Sequence, residues 1–123
     1  MAYFKGCKDL TELVLVNMNV GDAGLSHFKG CTNLKILNLN STKATDAGCA
    51  YFQDCTRLRE LVLRGTVVSD KGLAHFKGCK DLTLLDLESA KPVADLAPIH
   101  DLKLKELRIQ FTMVFSGHWR GWN

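Results

Sequence analysis

The chain has 123 residues, enough for one domain with a real but modest core. A hydrophobic content of 46% with 24% charged residues is ordinary for a folded protein and excludes a disordered one. The formal net charge of +3, with lysines and glutamates interspersed, gives no nucleic-acid footprint, and no apolar run approaches the roughly 20 residues of a membrane span.

The opening MAYFKGCKDL lacks the charged-then-apolar pattern of a secretory signal. Five cysteines are an odd number without a CxxC pair, so a complete intrachain disulfide set is excluded. Free thiols in a reducing compartment, and hence a cytoplasmic location, are expected.

From Cys7 onward the chain repeats. Cys7, Cys31, Cys55 and Cys79 stand 24 residues apart and head CKDLTELVL, CTNLKILNL, CTRLRELVL and CKDLTLLDL. Each is a Leu-x-x-Leu-x-Leu frame: Leu10, Leu13, Leu15; Leu34, Leu37, Leu39; Leu58, Leu61, Leu63; Leu82, Leu85, Leu87. Leu104, Leu107 and Ile109 form a fifth copy after a step of 22. The last two apolar positions of each frame alternate with polar ones, which predicts a short strand.

After each of the first three strands comes GDAGLSHFKG, TDAGCAYFQD or SDKGLAHFKG. Thr45 and Ser69 suit a helix N-cap, and Asp46 and Asp70 suit the positive first turn behind it. Leu25, Cys49 and Leu73 stand three before Phe28, Phe52 and Phe76, so both face the core. Gly30 and Gly78 suit a left-handed helix exit, a place Asp54 takes in the second unit. Thr42, Thr66 and Thr112 share a column that predicts hydroxyl bonds between units, and Met18 cannot join it. One unit cannot bury its apolar face alone, whereas stacked units share a core.

The frame resembles a leucine-rich repeat. Thr66, Val68, Asp70 and Gly72, with Thr42, Asp46, Ala47 and Gly48 before them, resemble a bacterial, planctomycete-like Thr-x-Val-x-Asp-Ala-Gly-Leu type. Asp95, Leu96, Pro98 and Ile99 resemble a shorter bacterial subtype with Asp-Leu-x-Pro-Leu. The resemblance spans roughly residues 2 to 114 and implies an α/β solenoid with about five parallel strands on the concave face and short convex helices. It places residues 1–123 in one leucine-rich-repeat domain, with repeats starting near 7, 31, 55, 79 and 101 and a non-repeat tail over 115–123.

Candidate sites follow from the columns. A linear file of Cys7, Cys31, Cys55 and Cys79 diverges and cannot meet at one tetrahedral metal, so these and Cys49 are read as packing residues. His27 and His75 alternate with Tyr3 and Tyr51, which suggests a half-buried aromatic position. Asp22, Asp46, Asp70 and Asp95 form a column read as helix-start stabilisation rather than calcium ligands. Nucleophile and base do not pair, so no catalytic, cofactor or metal residue is assigned and no cofactor is expected.

The outward strand positions are Glu12, Val14 and Val16; Ile36, Asn38 and Asn40; Glu60, Val62 and Arg64; Leu84, Asp86 and Glu88; Glu106, Arg108 and Gln110. They vary while the leucines do not, and their mixture of aliphatic and charged groups suits a protein partner better than a nucleic acid or a membrane. A non-catalytic interaction or scaffold module within a larger bacterial multidomain protein is the function expected. Substrate-recognition repeats of a ubiquitin-ligase adaptor are the alternative, and a thiol enzyme the third reading. Neither end carries a recognisable polar cap. This predicts a segment of a longer array and self-association through the solenoid ends or the Trp119/Trp122 tail.

Overall fold

The computed structural model describes residues 8–88 and 96–109. Five strands form one parallel sheet in sequence order: β1 (Glu12–Val14), β2 (Ile36–Asn38), β3 (Glu60–Val62), β4 (Leu84–Asp86) and β5 (Glu106–Arg108). Leu13, Leu37, Leu61, Leu85 and Leu107 pair across the sheet, so the repeat frame is the strand register.

Main-chain bonds extend each rung beyond its strand. Leu15, Leu39, Leu63 and Leu87 donate to Asn38, Val62, Asp86 and Arg108 carbonyls at 2.8–2.9 Å. Asn17, Ser41 and Gly65 then donate to Asn40, Arg64 and Glu88. These three stand 24 apart with φ of 59°, 59° and 69°, the left-handed conformation that turns the chain out of the sheet. Asparagine and glycine adopt it most readily.

The turn leads to α1 (Asp22–Leu25), α2 (Asp46–Cys49) and α3 (Asp70–Leu73), each continued by a 3-10 turn ending at Phe28, Phe52 or Phe76. Thr45 and Ser69 cap α2 and α3 by accepting from the Ala47 and Lys71 amides, and Gly21 gives α1 no side-chain cap. Before β5 the described residues form a 3-10 turn, Ala97–Ile99, where Pro98 fits a first-turn position. The core lies between sheet and helices. It stacks Leu37, Leu61 and Leu85 with Cys49, Leu73, Phe52 and Phe76, all without solvent exposure.

Two expectations change. Gly30 and Gly78 are not left-handed, because Gly65 is the one glycine with positive φ among the described residues. The chain leaves the 3-10 turn through right-handed Lys29 or Lys77, and the Cys31 and Cys79 amides close onto the Phe28 and Phe76 carbonyls at 2.9 Å. The Thr42 and Thr66 hydroxyls donate within their own units, to the Leu39 and Leu63 carbonyls at 2.8 and 2.7 Å. Each of these two hydroxyls closes the turn it belongs to. Thr112 lies outside the described residues.

The aspartate column does more than begin helices. Asp22 accepts from the Thr45 amide at 2.9 Å and from the Thr45 hydroxyl. Asp46 accepts from the Ser69 amide and hydroxyl at 2.7 and 2.6 Å. Each carboxylate thus holds the N-cap residue of the next unit, and bonds to a charged acceptor are the stronger class. Asp95 lies outside the described residues.

Candidate functional site

Parallel register turns the outward strand positions into rows that cross the sheet. The first row is Glu12, Ile36, Glu60, Leu84 and Glu106, and the second is Val14, Asn38, Val62, Asp86 and Arg108. Val16, Asn40, Arg64 and Glu88 follow at the turn end, and Gln110 lies outside the described residues. Val14 is 53% exposed and Val16 36%, so the β1 side of the face carries an aliphatic edge, while Met18, 48% exposed, lies past the Asn17 turn and lines the hollow at the β1 end.

The β4 side is ionic. Asp86 is only 2% exposed, which corrects its assignment as an open contact position. Arg64 reaches it at 3.3 Å from β3's side and Arg108 at 3.6 Å from β5. Its Oδ1 also accepts from the Glu88 amide at 3.0 Å, as Asn38 Oδ1 does from the Asn40 amide at 3.0 Å. A buried charge needs both partners and hydrogen bonds, and Asp86 has both. Arg64 also pairs with Glu88, and Arg108 Nε with Glu106 at 2.5 Å. The Arg64 Nε is buried without a partner. The Glu106 contacts push the Arg108 guanidinium pKa further up.

The remaining candidates fall behind the sheet. Cys31, Cys49, Cys55 and Cys79 are buried free thiols, and Cys7 lies outside the described residues. The Cys55 thiol donates to the Cys31 carbonyl and the Cys79 thiol to the Cys55 carbonyl, both at 3.3 Å. Burial pushes Cys49 and Cys55 up to about 12 and Cys79 to about 11. A nucleophilic thiol needs the opposite shift. Among the described residues no three His, Cys, Asp or Glu side chains come together as a metal site. His27, Tyr51 and His75 are half-buried on the convex side, with His75 Nδ1 3.4 Å from Gln53 Oε1. An apolar hollow at the β1 end is lined by Leu10, Leu13, Leu15, Val20 and Phe28. Trp119 and Trp122 lie outside the described residues.

The model of the BspA-type leucine-rich repeat region matches residues 1–110 in six copies. The chain belongs to this family. Among solved structures, the BspA-type chain is similar to an internalin from Listeria monocytogenes, with 20% identity and a TM-score of 0.68. That match covers 87% of this chain and 36% of the internalin, so the chain spans about a third of that protein. It is also similar to the actin-binding site 2 of leiomodin-1, with 18% identity and a TM-score of 0.67, over 89% of this chain and 75% of that one. No curated protein matches it. The comparisons agree with the α/β leucine-rich-repeat solenoid read from the frame.

Sequence reasoning missed two features of this face. One is the burial of Asp86, whose covering arginines stand 22 residues before and after it. The other is the turn column of Asn17, Ser41 and Gly65. Its asparagine and glycine, at the repeat's own period, were the available signal.

Proposed function

We propose that this BspA-type repeat domain is a non-catalytic protein-interaction module that holds its partner on the concave strand face, within a larger bacterial, cytoplasmic multidomain protein. The bacterial setting rests on the Asp-Ala-Gly-Leu and Asp-Leu-x-Pro-Ile forms, and the compartment on the odd cysteine count. The observation that carries the reading is the aliphatic pair Val14 and Val16 together with the ionic Arg64, Asp86 and Arg108 group, on one sheet face. Exposed apolar groups rimmed by charge are the anatomy of a recognition patch. The leiomodin-1 domain of similar fold, named for actin binding, is consistent with such a use.

The test is substitution on the face with the fold monitored. Val14→Glu with Val62→Ser should weaken a purified partner at least tenfold by calorimetry and leave the urea midpoint unchanged. Arg64 is left in place, since removing it would uncover Asp86 and confound binding with stability. A partner held equally by the double variant would refute the concave site.

A further inference from the structure

The first outward row has a pattern that names a partner class. Across the sheet it reads acid, aliphatic, acid, aliphatic, acid: Glu12, Ile36, Glu60, Leu84 and Glu106. Glu12 and Glu106 are exposed, and the other three are half-buried. Among the described residues Glu12 and Glu60 make no ion pair, while Glu106 has Arg108. The fourteen described outward positions hold five carboxylates (Glu12, Glu60, Asp86, Glu88, Glu106) against two guanidiniums (Arg64, Arg108), a net −3 within a chain of formal net charge +3. The face is therefore net negative within a net-positive chain.

Neighbouring strands lie about 4.8 Å apart, so the row spans about 19 Å and its glutamates recur about every 9.6 Å. The occupant must present side chains at that step. A strand laid across the row offers same-face side chains about every 6.7 Å and is out of step by the second position. A polyproline segment repeats a face about every 9.3 Å, which reaches the glutamates and skips Ile36 and Leu84. One stripe of an α-helix steps about 5.3 Å on average, drifting about 0.5 Å per position and about 2 Å over the row. Lysine and arginine stems absorb that drift.

We propose that the concave face receives an amphipathic helix of about four turns lying across the strands, whose buried stripe alternates basic and apolar residues. Basic residues at i, i+7 and i+14 meet Glu12, Glu60 and Glu106, and apolar residues at i+3 or i+4 and at i+10 or i+11 meet Ile36 and Leu84. The inference rests on the concave-face reading and adds the partner's conformation and charge.

The test uses the full chain, isotopically labelled, titrated with an 18-residue alanine-based peptide carrying lysine and leucine at those positions. Amide shifts should map to β1 through β5. Glu12→Lys with Glu60→Lys, its urea midpoint matching the parent, should weaken the peptide at least tenfold, and a peptide with glutamate for lysine should recover that loss. A proline-interrupted peptide of the same composition that bound equally on the same strands would overturn the helix and leave concave recognition standing. Shifts confined to α1 through α3 would overturn both. Absence of shifts with every peptide would overturn the helix inference, as would a dimer in sedimentation that Glu12→Lys with Glu60→Lys abolishes.

Discussion

A methyl group on Gly72 would stand 2.5 Å from Asp46 Oδ1 and 2.8 Å from Val68 Cγ1. Gly48 meets Asp22 of the previous unit in the same way. The glycines of α2 and α3 thus have a cause across the stack: one unit's carboxylate occupies the space a Cβ would need in the next. Gly72→Ala should cost about 1–3 kcal/mol in urea denaturation. Gly24→Ala, with Val20 at an ordinary 3.7 Å, should be neutral or stabilise by up to about 1 kcal/mol through helix propensity. Equal effects at both positions would refute the steric account. Asp46→Ala should cost about 1–3 kcal/mol by the same measurement, because the Ser69 amide loses its acceptor. The thiols give a pH prediction. Their folded values lie above the ordinary 9.0, so the folded state keeps protons that the unfolded state releases. Their contribution is complete below about pH 9 and is lost as pH rises toward 11 to 12. Stability should fall across that window, and less steeply in Cys55→Ala. At pH 8, peptide-resolved alkylation of Cys49, Cys55 and Cys79 should follow unfolding, and fast native labelling of one would contradict their burial.

Each unit was legible in the sequence where one residue type performs one local task. Leucines at period two specify strands, and Thr45 and Ser69 ahead of an aspartate specify helix starts. What could not be read depends on neighbours. Asp46 looks like a first-turn residue because its bond to Ser69 exists only after stacking. Asp86 looks like a contact residue because Arg64 and Arg108 approach it only once register is fixed. Gly30 and Gly78, after Phe28 and Phe76, resembled left-handed exits, yet the chain needs that conformation after the strand instead. Ser41 pays most there, since it holds φ of 59° without asparagine's or glycine's tolerance. Ser41→Gly should stabilise the domain by roughly 1 kcal/mol in the same urea assay, by relieving the left-handed cost. No gain would mean that its hydroxyl bond to Asn40 Oδ1, at 2.9 Å, offsets the strain.

At the scale of the molecule, scaffold and surface separate. Among the described residues the frame leucines of the inner units, with Cys31, Cys55, Cys79, Phe52 and Phe76, recur and are buried, while the outward rows vary and carry the face's charge. Asp86 and its two arginines belong to both, since they tie three rungs together on the face itself. The central claim is that the partner lies on the strands. The most direct measurement is amide hydrogen exchange of the chain alone and in complex with its purified partner. Binding should slow exchange over residues 12–16, 36–40, 60–64 and 84–88 and leave α1 through α3 unchanged. New protection confined to Asp22–Phe28, Asp46–Phe52 and Asp70–Phe76 would contradict the account.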